Sequence, residues 1–273
     1  MRKLRVGNLG RRIGVCRVIQ TDVDQDVSWR SARFASFDLE TTGTDTSNDR
    51  IIEIGVVTFE GGEVVDRWQQ LVDPERALPP VITEVTGIKA EDLVGQPKLA
   101  EVIDEFMSRL SGVPLLAYNH EFDTNVLKSE LGRLGKPTEL PVCLDPFPFC
   151  WEYMREAKLT KNAKLTTIAE YMNIALDEAH RADHDAEAAG RVMLELVNHA
   201  TLPVKLRELL QLQSAMMQKL NERFNRFRRN RGEGRSVLSG GEVVIELGAA
   251  YLYGEETDPI RALFQRVPDV RDL

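Results

Sequence analysis

The sequence predicts an α/β protein, a mixed sheet covered by helices. Two observations carry that expectation. Between residues 33 and 72 an apolar strand is followed by two β-rich runs joined at Gly61-Gly62, the pattern of a three-stranded meander. After residue 99, segments of strand and helix character alternate, as in sheets with helices on their faces. The chain's 273 residues, 42% hydrophobic and 29% charged, are ample for a real core and exclude a disordered chain, a collagen-like repeat or a disulfide scaffold.

The elements follow in order. Arg33–Glu40 (RFASFDLE) is an apolar run ending in carboxylates, which predicts a strand with its C-terminal end marked. Ile51–Glu60 and Glu63–Val72 are the two hairpin strands. Leu99–Leu110 has helical periodicity through Val102, Ile103, Phe106, Met107 and Leu110. Pro114–Tyr118 (PLLAY) is a short strand of buried type, followed by a helix from about Phe122 to Leu134 that Gly135 can cap. After an irregular stretch (LPVCLDPFPF), helices are expected around Trp151–Ala157, Leu165–Met172 and Asp183–Asn198. Pro203–Arg231 is one long helix whose stripe of Leu206, Leu210, Gln213, Met217, Leu220, Phe224 and Phe227 has 4-3 spacing. Its last turns are rich in Arg, Gly232 and Gly234 end it, and Val243–Leu247 reads as a strand of a small terminal unit.

The net charge of −8 at first argues against a nucleic-acid binder. Its distribution removes that objection. Residues 1–30 carry +4 and residues 201–235 carry +6, whereas residues 31–200 carry −14 and residues 236–273 carry −4. An acidic middle between basic flanks gives the expected organisation: an extension over 1–30, a main domain over 31–200, a basic amphipathic helix over 201–235 and a small unit over 236–273. Cys16, Cys143 and Cys150 form no disulfide or zinc pattern, and no run of about 18 apolar residues predicts a membrane span. The expectation is a reduced, cytoplasmic protein.

Three short segments carry the chemistry. Asp38 and Glu40 are two apart in a strand, so both carboxylates project on one face, an arrangement that calls for a cation between them. Oxygen ligands of this kind suit Mg²⁺ or Mn²⁺. Asn119-His120-Glu121-Phe122-Asp123 follows the strand PLLAY, where Asp123 is either an ordinary helix N-cap or a metal ligand. His180-Arg181-Ala182-Asp183-His184-Asp185 opens a late helix, with Asp183 the expected N-cap and Asp185 inside the first turn.

Taken in order, D-x-E, N-x-x-F-D and H-x-x-x-x-D resemble the DEDDh family of 3′→5′ exonucleases, and within it most of all the proofreading epsilon subunits of bacterial DNA polymerase III. FDLETTG, DRIIEIGVV, EVTGIKAEDL, YNHEFDTNVLKSEL and AHRADHDAEAAG carry the resemblance, over about residues 33–198. It implies a ribonuclease H-like fold with a mixed five-stranded sheet. It also implies that Asp38, Glu40, Asp123 and Asp185 hold two divalent metal ions, Mg²⁺ or Mn²⁺, and that His180 is the general base. That constellation suits the chemistry: hydrolysis of a phosphodiester needs a deprotonated water and cations on the leaving and non-bridging oxygens, and a neutral imidazole can take the proton. His184 competes for the role, but His180 has the family's spacing.

The resemblance further points to Thr41, Thr42, Thr86, Gly87, Asn119 and Phe122 as contacts of the terminal nucleotide. Phe122 could stack on a base or belong to the core. The expected function is release of mononucleotides from the 3′ end of single-stranded nucleic acid, with DNA favoured over RNA and an RNA 3′-end exoribonuclease as the alternative. An inactive interaction module is disfavoured, since all five catalytic positions are filled. The stripe of residues 203–231 is open to docking on the core, homodimerisation or a protein partner, with a homodimer favoured by its length. Its Arg-rich end suits phosphates or plain solvation equally.

Overall fold

The structure, a computed structural model, describes residues 22–176 and 180–230, with side chains through Arg226 in the last helix. The expected strand at Val243–Leu247, the terminal glycines of the long helix, the side chain of Phe227 and most of the 1–30 extension lie outside the described residues.

The meander forms as its sequence dictates. Strand β1 (Phe34–Thr41) pairs antiparallel with β2 (Ile51–Glu60), and β2 with β3 (Glu63–Leu71). Gly61 and Gly62 both have positive φ, 61° and 90°, which a two-residue hairpin of this twist requires. Two short parallel strands, β4 (Leu115–Leu116) and β5 (Cys143–Leu144), complete a five-stranded sheet of order β3-β2-β1-β4-β5. The segment around β5 reads as irregular in sequence because Pro141 and Pro146 confine the strand to two residues.

Helices cover both faces. Two short helices, α1 (Pro80–Thr86) and α2 (Ala90–Leu93), have too few residues for a periodic signal. Helix α3 (Leu99–Leu110) and helix α4 (Glu121–Arg133) bury one core with Ala35, Phe37, Leu39, Ile54 and Val56. On the opposite face lie α5 (Phe147–Cys150), which continues as a π-helical turn over Trp151–Arg155, and α6 (Leu165–Tyr171) and α7 (Ala182–Glu195). The alternation of β1 decides what each face receives. Ala35, Phe37 and Leu39 turn to the α3–α4 core. Phe34 enters the other core and the Ser36 hydroxyl donates to Ala186 O of α7 at 2.6 Å.

Helix α8 (Leu206–Asn230) packs on this same α7 face. Leu206, Leu209, Leu220 and Phe224 are buried, and the Phe224 ring meets Trp151 edge-on at 5.3 Å. Arg223 pairs with Glu156 at 2.8 Å, and Leu206 N and Arg207 N donate to Val27 O and Gln25 O at the start of the described chain. Of the three uses open to the stripe, the structure shows docking on the core at Leu206, Gln213, Leu220 and Phe224, while Leu210 and Met217 are only partly buried.

Candidate active site

The site is built at the C-terminal end of β1. Glu40 lies opposite Glu53 of β2, and Asp38 opposite Gly55. Gly55 is a requirement of the site: a Cβ there would lie 2.1 Å from the Ala182 carbonyl carbon and 2.2 Å from Asp183 N. The missing side chain lets the start of α7 lie directly on β2. That approach carries His180 and Asp185 to the strand end. One ligand atom from each of Glu40, His180 and Asp185 falls within a group no wider than 4.8 Å. His180 holds a left-handed conformation (φ 69°), uncommon for a residue with a side chain, and its N–H donates to Asp185 Oδ2 at 3.0 Å.

Asp123 joins from the other side. Helix α4 is capped by His120, so Asp123 stands inside its first turn, and the N-cap alternative for Asp123 is set aside. Its Oδ1 accepts Leu39 N at 3.0 Å, between the two carboxylates of β1. Asp183 is likewise not the N-cap of α7. Its carboxylate accepts from Arg67 at 2.7 Å, while Glu53, fully buried in β2, accepts Ala182 N at 3.0 Å. A tertiary carboxylate thus replaces the local cap. Glu53 also pairs with Arg181 at 2.9 Å and accepts from Gln69. Sequence reasoning missed Glu53 as a site residue, although a lone acid inside the apolar run IIEIGVV was a signal.

The electrostatics are those of anions crowded out of water. Burial first, then Asp123, Asp185, Glu40 and Glu53, push the Asp38 carboxyl well above its ordinary range, although Asp38 keeps some exposure at the cleft. Burial and Asp185 do the same to Glu40, against the pull of Arg181. Burial lifts Asp123 to about 8 and Asp185 to about 7. His180 moves the other way, lowered by burial and by Lys164, which favours a neutral imidazole. Four crowded carboxylates, with Arg181 pulling on Glu40, beside an imidazole that burial favours as neutral fit divalent ions with oxygen-preferring chemistry.

The expected substrate contacts divide. Thr86 and Gly87 line a cleft of about 400 Å³ that also includes Arg181, next to His180. Asn119 is buried in a left-handed conformation, with φ 59°, and its Nδ2 has no protein hydrogen-bond partner among the described residues. The Thr41 and Thr42 hydroxyls are used within the following loop, on Gly43 O at 2.5 Å and Asp49 Oδ1 at 2.9 Å, and Thr42 N donates to Arg50 O at 2.9 Å, so both buried threonines are engaged within the protein. Phe122 is only 2% exposed and packs among the residues of the α3–α4 core, so core packing, the alternative to base stacking, is what the structure shows. His184 lines a different cleft with Arg67 and Glu187.

These carboxylates, placed by a strand, a strand-to-helix junction and a late helix, lie inside the stretch that matches a known family profile. The exonuclease family (RNase_T) matches residues 36–193, and the chain belongs to that family. Among curated relatives it is similar to the PolC-type DNA polymerase III of Clostridium perfringens, at 37% identity over 160 residues, 59% of this chain and 11% of that protein. It is also similar to the epsilon subunit of DNA polymerase III of Treponema pallidum, at 30% identity over 166 residues, 61% of this chain and 77% of that protein. The chain thus spans about a tenth of the PolC-type polymerases it matches. In fold it resembles Escherichia coli exonuclease I solved with single-stranded DNA, with TM-score 0.55, 18% identity, and coverage of 62% of this chain and 41% of that one. Among the described residues no helix is long and apolar enough to cross a membrane.

Proposed function

We propose that this protein is a metal-dependent 3′→5′ exonuclease that releases mononucleotides from the 3′ ends of DNA. The observation that carries the reading is the convergence of Glu40, His180 and Asp185 within 4.8 Å, with Asp38 and Asp123 beside them in one crowded carboxylate cluster. Two Mg²⁺ or Mn²⁺ ions held by Asp38, Glu40, Asp123 and Asp185 would supply charge neutralisation at the phosphate and a more acidic water. The residues themselves do the rest. His180, kept neutral by burial and Lys164, accepts the proton of the attacking water. Asp185 orients it through the His180 N–H, and Glu53 with Arg181 fixes the turn on which it stands. Thr86 and Gly87 of the cleft would form a wall against which the terminal nucleotide is set.

DNA is favoured as substrate because the relatives matched are named as DNA polymerase III proteins and the structural neighbour was solved on single-stranded DNA. The test is incubation with 3′-labelled single-stranded DNA and RNA, each with Mg²⁺, Mn²⁺ or EDTA. Metal-dependent release of mononucleotide, faster from DNA, is expected. Faster release from RNA would establish the exoribonuclease alternative, and no release from either would refute the enzyme reading.

A further inference from the structure

We propose that helix α8 positions the Asn119–His120 turn of the catalytic cleft through Gln213 and Asp145, so that a helix outside the family-matched residues 36–193 sets the geometry of the site. The kinetic consequence rests on the function proposed above; the structural linkage does not.

The linkage begins at the edge of the sheet. Strand β5 is terminal in the strand order, so one side of it has no strand neighbour. Gln213 of α8, 7% exposed, occupies that side with its side-chain amide. Its Oε1 accepts Asp145 N at 2.9 Å and its Nε2 donates to Cys143 O at 3.1 Å, continuing the sheet by one rung. The strand end is thereby held from both of its backbone groups. The Asp145 carboxylate, itself buried, then turns back across the sheet. Oδ1 accepts Asn119 N at 2.8 Å and Phe147 N at 2.9 Å, and Oδ2 accepts His120 N at 3.3 Å.

The Asn119 and His120 amides belong to the turn that launches α4. Asn119 is left-handed there, a conformation that persists only where surroundings over-determine it, and the paired Asp145 oxygens do so. One turn further along, Asp123 reaches Leu39 N between Asp38 and Glu40. Gln213, Asp145, the turn and Asp123 thus form a continuous path of hydrogen bonds and one helical turn, from α8 to the metal-type cluster. Helix α8 is anchored independently by Trp151–Phe224, Arg223–Glu156 and Leu206 N to Val27 O, so removal of the Gln213 bonds alone leaves it docked. On the same turn Asn119 Nδ2 is a buried donor with no protein acceptor among the described residues.

The test uses the full chain. Gln213→Met keeps the length and apolar contacts of the side chain and removes both bonds. Gln213→Glu keeps the acceptor for Asp145 N. Amide hydrogen exchange is read at Asn119 and His120, with Ala182, bonded to Glu53 on another element, as internal control. In parallel, kcat and KM are measured on 3′-labelled single-stranded DNA. In Gln213→Met, exchange at Asn119 and His120 rises at least about tenfold with Ala182 unchanged, and kcat falls at least about fivefold at a nearly unchanged melting temperature. Gln213→Glu recovers part of both. Exchange at the two amides equal to that of the parent chain, or a rise shared equally by Ala182, overturns the proposal. A parent chain without activity on DNA would count against the function reading, and the exchange pattern would still decide the positioning role.

Discussion

Asp38 is a side chain costly to the fold, and the proposed reaction gives it a use. It is raised by burial and by four neighbouring carboxylates, so the folded chain without metal holds mutual repulsion at this point. Asp38→Asn removes a ligand and a charge together. Its turnover with Mg²⁺ is expected to fall at least about 100-fold, about 2.7 kcal/mol of barrier, whereas its melting temperature in EDTA at pH 8 rises above that of the parent chain. Initial rates and thermal melts of the same preparation check both halves. His180→Ala is expected to lose rate by a similar factor through loss of the base, and a rate within about threefold of the parent would remove His180 from the reaction. The sequence pointed to both residues through the resemblance that the ordered motifs carry, since neither spacing is specific by itself. Glu53 escaped notice because its function exists only once β2 and the start of α7 are in contact.

Helix α7 and helix α8 are each placed by something the neighbouring element lacks or supplies. For α7 it is the absent side chain of Gly55, which allows backbone to lie on backbone. Gly55→Ala forces that contact apart, and because the obstacle is main chain, the cost is expected at or above the about 1–3 kcal/mol usual for overpacking. A lower melting temperature and weaker Mn²⁺ binding by calorimetry would both be seen. For α8 it is the apolar surface beside α5. Four of its side chains, Leu206, Leu209, Leu220 and Phe224, are buried there, each worth about 1.5–3 kcal/mol. Their sum rivals the whole stability of an ordinary domain, roughly 5–15 kcal/mol. Truncation after Ala200 is therefore expected to abolish cooperative melting or lower the midpoint by more than about 10 °C, as read by circular dichroism. A fully folded, fully active truncated chain would contradict the docking. Periodicity located both helices to within a few residues, since apolar spacing is local, but which surface each stripe meets is not.

The molecule as a whole carries its acidity where a cation can answer it. In the absence of metal, Asp123 and Asp185 have folded-state values of about 8 and about 7, far above an unfolded aspartate near 3.9. The folded chain then binds more protons than the unfolded chain between those values, so stability falls as pH rises through that window. In EDTA, the melting temperature is expected to decline from about pH 5 to about pH 8.5. Mg²⁺ or Mn²⁺ at pH 8 should restore most of the loss, because binding to the folded state alone stabilises it. Scanning melts over pH with and without metal check the sign, and a metal-free stability that rises with pH would contradict the crowding of the carboxylates.

By itself the sequence determined the meander, the α/β alternation, the long amphipathic helix and the motif segments that bring Glu40, His180 and Asp185 together. These follow from period-2 and 3.6-residue patterns, turn chemistry and motif spacing, all of them local. Only the tertiary structure decided that β5 exists as a two-residue edge strand, that Phe122 is spent in the core, that Glu53 rather than Asp183 caps α7, and that α8 covers its own domain. Each of these depends on which surfaces meet after the chain has turned back on itself. Burial, the reach of a carboxylate to a distant N–H and the choice of a docking partner are properties of that meeting, and no stretch of neighbouring residues contains them.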